Sequence, residues 1–429
     1  MQRSAIALIW VVLFSLSASA QTHANADVDA RLRALEEQVK ALQAELAALR
    51  AASSMPVHAT SAPVAEPPTS AALSTAPTGG GERTPGPLPV YGGAQQSSKI
   101  FNPDIGMIGN FVSGTGDSKG GSDTLAPIPF ATLQESEASF QAIIDPYARA
   151  DFFLAIGEEG IEVEEGYISF PALPGGLLVK AGKMRANFGR LNAFHNHTLP
   201  WIDRPLVMYN LLGGSSGDPD TGIKDAGVSA SRIIPAGKVF VEAIGEVFRG
   251  DSGTLYTSSQ RSDLSAVGHI RSYLDFNEET NFEAGASYSR GHNEVGSDFT
   301  TQLYGADFTL RWRLLNRAIY HSLAARTELI WSNREDLGGT QRAFGIYGSL
   351  DYQIWRRWFL GGRFDRSERG RDASILDSSF SGVLTFWPSE FSQVRTQYRR
   401  TRFGDGARVA NELLFQVLFT IGAHGAHPF

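Results

Sequence analysis

The chain has 429 residues, a formal net charge of -7, no cysteine, and 45 glycines beside 26 Phe, 12 Tyr and 7 Trp. The absence of cysteine excludes disulfide staples, and the acidic balance argues against a nucleic-acid surface. Beyond the first residues no apolar run reaches the roughly 20 needed for a transmembrane helix.

Residues 1–20 read as a cleavable export signal, with Arg3 in a positive n-region, Ala5 to Leu16 apolar, and Ala18-Ser19-Ala20 as the A-x-A cleavage site. Exported without disulfides, the mature fold must rest on its own hydrogen-bond network or on assembly. Residues 27–50 place Val28, Leu32, Leu35, Val39, Leu42, Leu46 and Leu49 at alternating spacings of four and three, the seam of a coiled coil. A lone helix this short is marginal in water, so the spacing predicts self-association; the alternative is a helix packed on the chain's own body. Residues 51–98 are rich in Ala, Pro, Ser, Thr and Gly and predict an extended linker.

From 99 to 429 the period changes to two. About 16 strand-like runs of about 9–13 residues follow, the even count and length of an all-β, transmembrane antiparallel barrel. Connections at 145–146, 171–176, 235–238, 277–280, 354–357 and 387–390 are short. Those at 114–132, 189–225, 249–264, 291–301, 333–341, 368–377 and 404–409 are longer, and 157–160 is one tight turn among them. This alternation predicts short turns on one rim of the barrel and long external loops on the other.

Several runs have a clear parity. Tyr304, Ala306, Phe308, Leu310 and Trp312 oppose Asp307, Thr309, Arg311 and Arg313, and the apolar set must face lipid because a charge at mid-bilayer costs about 2–4 kcal/mol. Trp331, Trp355, Trp358 and Trp387 are expected in interfacial girdles. The inward face carries both signs. Glu135, Glu137, Glu162, Glu164, Glu242 and Glu246 come mostly from the first half of the barrel region. Lys183, Arg185, Arg271, Arg311, Arg313, Arg363, Arg395 and Arg399 come largely from the second, with Asp307, Asp351 and Asp365 among them. Opposed acidic and basic walls would set a transverse field across an aqueous lumen, which a barrel of this width usually leaves open. The competing expectation is an interior filled by salt bridges.

The longest connection, 189–225, is too apolar to sit in water, with Leu199, Trp201, Ile202, Leu206, Val207, Met208, Tyr209, Leu211 and Leu212. It is expected to fold into the barrel and narrow it. His195 and His197 at H-x-H spacing near Asp203 make half of a metal site, against a His pair satisfied by loop hydrogen bonds; Asp203 and Arg204 are expected to shape the constriction. No phosphate loop, zincin helix or nucleophile elbow occurs, so neither an enzyme nor a cofactor is expected.

The final run alternates Leu413, Phe415, Val417, Phe419 and Ile421 with Glu412, Leu414, Gln416, Leu418 and Thr420, and the chain stops at Phe429. The heptad Val28–Leu49, the run L-V-K-A-G-K-M-R-A-N-F-G-R at 178–190 and this closing strand together resemble the Gram-negative outer-membrane porins, most of all the phosphate-selective porin-like group with an N-terminal coiled coil. The resemblance implies an outer-membrane barrel assembled as a homotrimer, passive diffusion of small hydrophilic or ionic solutes, constriction by the third loop, and a coiled coil in the periplasm. Phe429 is similar to the signal read by the barrel-assembly machinery. The basic lumen residues here are almost all Arg, without a ladder of lysines, so phosphate selectivity is not carried over. Two alternatives stand beside it. One is a structural anchor that ties the outer membrane to peptidoglycan through the coiled coil. The other, ranked lower, is a TonB-linked or metal-related transporter, for which the chain lacks the length of both a plug and a 22-stranded barrel.

Overall fold

Alternating sequence becomes ladder pairing over the whole second part of the chain. A computed structural model describes residues 103–117, 125, 128–157, 160–213, 222–318, 320–404 and 409–422, together with Glu37 and Lys40, both helical. The export signal, the heptad seam, the linker and Phe429 lie outside the described residues. Sixteen strands follow one another: β1 (Asp104–Gly116), β2 (Thr132–Asp145), β3 (Ala148–Gly157), β4 (Gly160–Leu173), β5 (Leu177–Arg185), β6 (Lys224–Ala236), β7 (Val239–Phe248), β8 (Ser265–Asn277), β9 (Thr280–Asn293), β10 (Gly296–Arg313), β11 (Ser322–Asp336), β12 (Gly339–Trp355), β13 (Trp358–Arg369), β14 (Asp372–Ser389), β15 (Ser392–Arg402) and β16 (Val409–Gly422). Each pairs with its sequence neighbours, and β16 closes antiparallel onto β1 from Gly106↔Gly422 to Gly116↔Glu412. Closure matters because hydrocarbon offers no water to an unpaired N–H or C=O, so an open edge there is excluded.

The faces follow the expected parity. On β16, Leu413, Phe415, Phe419 and Ile421 are exposed on the outside, whereas Glu412 and Gln416 are buried on the inside. Leu414 and Leu418 share that inward face. Leu414 packs with Val112 of β1 and Ile202 of the long connection, so an inward leucine meets protein here rather than water.

Two expectations are overturned. The connections expected to be long at 291–301, 333–341 and 368–377 shrink to residues 294–295, 337–338 and 370–371, because β10 and β14 run for 18 residues and β12 for 17. These strands outlast the roughly 9–11 residues that cross a bilayer and stay paired beyond it through polar contacts. Thr300 donates N–H and Oγ1–H to Glu335 at 2.7 and 3.0 Å, and Glu294 binds Arg334 and Arg371 at 2.8 and 2.9 Å. On the opposite rim, the β10–β11 connection (314–321) is longer than a tight turn and holds a one-turn 3-10 helix, Leu315–Arg317. The three longest connections (β1–β2, β5–β6 and β7–β8) still share one rim. Trp387 is the second correction. It follows Asp377, Ser379, Ser381, Val383 and Thr385 on the inward parity of β14 and is buried, so it is no girdle residue. Trp331, Trp355 and Trp358 are exposed, and Trp358 stacks on Phe386 at 4.5 Å.

Candidate functional site

Residues 186–213 of the β5–β6 connection fold into the barrel. Their apolar side chains force this: left in water, each Val, Leu or Met would forgo about 1.5–3 kcal/mol of burial. Leu199, Trp201, Val207, Met208, Leu211 and Leu212 are buried in one cluster with Met184, Phe248, Val267, Leu303, Ile330, Tyr347 and Val383, which point inward from strands around the wall. Pro205 fixes the entry to a short helix, α1 (Leu206–Leu211), every residue of which is buried. Asn210 of α1 donates from Nδ2 to Asp377 Oδ2 at 3.0 Å.

Asp203, just before α1, is the loop's polar anchor. Arg363 Nη2 reaches its two carboxylate oxygens at 3.1 and 3.0 Å, and Arg363 Nη1 donates to its backbone carbonyl at 2.9 Å. Arg399 Nη1 binds Oδ2 at 2.7 Å and Gln397 Nε2 donates to Oδ1 at 2.6 Å. The arginines are themselves held, Arg363 by Asp365 at 2.9 Å and Arg399 by Glu412. Arg363 also lies over the Trp201 ring, 4.8 Å from its centroid. Burial would push the Asp203 carboxyl up, but the two guanidiniums override it and bring it down to about 2. Arg395 adds a third guanidinium, donating from Nη1 to Trp201 O at 3.1 Å and to Gln416 Oε1 at 2.9 Å.

The start of the loop is tied to the opposite wall. Gly189 N donates to Ser287 Oγ at 2.8 Å, Arg190 and Leu191 donate backbone N–H to Glu328 Oε1, and the Arg190 guanidinium pairs with Glu283. Gly189 has φ +59, and a Cβ there would overlap Glu328 Oε1, so only glycine suits the position. Anchors on β9 and β11 at one end, and on β13, β15 and β16 further along, carry the loop across the interior.

A third anchor surrounds His195. Its Nδ1 lies 2.6 Å from Glu137 Oε2 of β2 and 3.2 Å from Glu164 Oε2 of β4, and its Nε2 lies 2.6 Å from Glu165 Oε1. His197 Nδ1 is 3.5 Å from the same Glu137 oxygen. Burial alone would lower the His195 pKa; Glu164 and Glu137 override it and hold the imidazole well above its ordinary value. Glu164 also takes Arg185 Nη2 at 2.8 Å.

The other expected lumen residues distribute unevenly. Glu242 pairs with Arg271 at 2.6 Å, Glu283 with Arg311 at 3.3 Å, and Asp351 with Arg326. Glu246 accepts the N–H and Nδ2–H of Asn187 at 2.8 and 2.7 Å. Asp307 is buried opposite Glu328 on β11, and Arg313 stands opposite Ser322. Glu135 pairs with Asn110 in the ladder. Arg204 is buried and closes the loop on itself, donating to Asn196 Oδ1 at 2.7 Å and Leu191 O at 3.2 Å, so it braces the loop rather than fronting open space.

Lys183 is a correction. It stands opposite Gly166 and Ala226, on the face of Val228, which is exposed, while Ser229 on the other face is buried. Directly paired residues share a face, so Lys183 points outward, and its ammonium binds Glu162 Oε1 at 3.0 Å. Lys180 takes the inward place, over the Tyr167 ring. The opposed acidic and basic walls give way to local pairing, with acids and bases joined across neighbouring strands in Glu242–Arg271, Glu283–Arg311, Arg326–Asp351 and Arg399–Glu412. Glu165, Arg190, Glu283, Arg326, Glu328 and Gln397 were missed. Arg326 and Glu328 carried a signal, since both fall on the inward parity of β11. Glu165 carried none, because a register shift at β3–β4 buries both Glu164 and Glu165 and breaks the alternation.

No family model matches the chain. A protein of Aquifex aeolicus described only as uncharacterized is 27% identical over 339 residues, covering 69% of this chain and 70% of that one. Among solved structures, a loop-deletion mutant of the Vibrio cholerae outer-membrane protein OmpT superposes with a TM-score of 0.51 at 10% identity, covering 74% of this chain and 99% of that one. OprB of Pseudomonas putida gives 0.50 at 10% identity (76% and 96% covered), and an anion-selective porin from Comamonas acidovorans gives 0.50 at 11% (74% and 98%). The fold is that of the outer-membrane porins. In this barrel the connection after the fifth strand lies inside the wall, anchored at Asp203, Glu328 and His195.

Proposed function

We propose that the protein is an outer-membrane channel through which small hydrophilic or ionic solutes diffuse passively, narrowed by the 186–223 loop. The observation that carries this reading is a closed barrel with an apolar exterior whose interior keeps charged groups in contact with solvent. The side chains of Arg271, Arg311 and Arg326 retain 25%, 33% and 20% exposure although each is paired. An interior meant only to be packed would bury such groups, since an exposed ion pair adds little stability, about 0–1 kcal/mol. The likeness to porin folds supports the same reading.

The remaining parts belong to the proposal too: export by residues 1–20, a coiled coil at 27–50 in the periplasm, a linker at 51–98, trimeric assembly, insertion by the barrel-assembly machinery through the segment ending at Phe429, and no enzymatic step. Purified protein in planar bilayers should give stepwise conductance, and folded oligomers that never conduct would overturn the channel. Reversal potentials in a salt gradient should shift toward cations for Arg311→Ala, which removes a half-open positive charge, and less for Arg395→Ala, whose side chain is buried. Deleting 21–98 should leave conductance per barrel unchanged; loss of envelope integrity with normal solute uptake would favour the anchor instead.

A further inference from the structure

We propose that His195, His197, Glu137 and Glu164 form a binding site for one divalent transition-metal cation of the Zn2+ type, stapling the inner loop to β2 and β4. One donor atom each from Glu137, His195 and His197 lies within 4.8 Å of the others. Glu164 supplies the fourth. Its Oε1 is occupied by Arg185, while its Oε2 is buried, has no hydrogen-bond partner among the described residues, and faces His195 Nδ1 at 3.2 Å. Two imidazole nitrogens and two carboxylate oxygens suit zinc and its neighbours, at about 2.0–2.2 Å from the metal. Donors around a tetrahedral ion then stand about 3.3 Å apart. The Nδ1–Oε2 distances of 2.6 and 3.5 Å bracket that value, so the cation requires the first pair to open slightly and give up the proton between them.

Two features distinguish this from a chance acidic cluster. Glu165 Oε1 sits 2.6 Å from His195 Nε2, where it accepts that N–H and leaves the Nδ1 lone pair directed at the site; this carboxylate–histidine–metal relay is how ligating imidazoles are commonly oriented. The charges also balance. Glu137, Glu164 and Glu165 bring three negative charges and Arg185 offsets one, leaving two to be met by a dication when His195 ligates as a neutral ring. Access remains as well, since His195 keeps 12% of its side chain open.

The test is isothermal titration of the full folded chain in detergent with ZnCl2. The expected result is one tight site per chain, weakened at least ten-fold by His195→Ala and by His197→Ala. Glu165→Gln, which changes only a positioning residue, should weaken it about ten-fold. A double His424→Ala/His427→Ala variant, which removes two other histidines, near the end of the sequence, should bind as the parent does. Variants are first checked for the folded mobility of a barrel on unheated gels, with His195→Gln held in reserve. One equivalent of Cu2+ on the unsubstituted protein gives an independent readout, since electron spin resonance should report two imidazole nitrogens. No zinc binding, zinc affinity within two-fold of the parent in both histidine variants, or a copper signal without paired imidazoles would each overturn the site and leave His195 as an ion-paired imidazolium only.

Discussion

Asp203 joins two guanidiniums and a carboxamide to the loop, so its removal acts on the loop more than on the wall. Asp203→Ala should weaken loop docking by about 3 kcal/mol, because it leaves two buried arginines each short of a partner. Faster proteolysis within 186–223, with the barrel still folded, is the measurement. The pH dependence follows from the same contacts. The folded carboxyl is depressed to about 2 from an ordinary value near 4, so its stabilisation is present above about pH 4 and is lost as pH falls through 2. The Asp203 contribution to loop protection should therefore stay level from pH 7 to 5 and decline between about pH 4 and 2. Gly189 bears on the loop's other end. Gly189→Ala places a Cβ against Glu328 Oε1 at φ +59 and should cost about 1–3 kcal/mol, read as the same proteolytic release without a change at Asp203.

Among the elements, β16 gives the sharpest contrast between faces. Val417 lies near its middle on the lipid side, and Val417→Arg should destabilise the barrel by about 2–4 kcal/mol in denaturant unfolding from bilayers. Leu414, on the opposite face and fully buried, packs on Val112 and Ile202. Leu414→Ala should cost about 2–5 kcal/mol, and its effect should fall partly on loop docking, since one of its two neighbours belongs to the loop. A strand read only as lipid-outside and water-inside would predict a near-neutral outcome at that inward leucine.

At the scale of the molecule, two networks are superposed. The ladder closes on itself through β1 and β16, while the loop adds a hydrophobic core within that wall and three polar anchors to it. Loop variants should therefore change permeation before they change global stability. Asp203→Ala should raise single-channel conductance while the folded band on unheated gels keeps its melting temperature within a few degrees; a variant whose barrel unfolds in step with its conductance change would show the two networks to be one.

Strand number, order and facing were legible in the chain because lipid imposes a local rule: every second side chain must be apolar, and every backbone group must find a partner on an adjacent strand. Tyr304, Phe308 and Leu310 against Asp307 and Thr309 already state that rule, and the apolarity of Leu206 to Leu212 already required a place inside for the longest connection. Facing failed where the rule is broken locally, at the register shift that buries both Glu164 and Glu165 and at Lys183 on an outward position. Rim geometry failed because polar ladders can stay paired in water beyond the bilayer, which no hydropathy pattern marks. The partners of Asp203, about 160 and 196 residues further along, and the meeting of His195 with Glu137 and Glu165 from two strands, were decided by tertiary structure alone. A period of two specifies which face a residue takes, whereas the height at which a folded-in loop meets each strand depends on the whole closed ring.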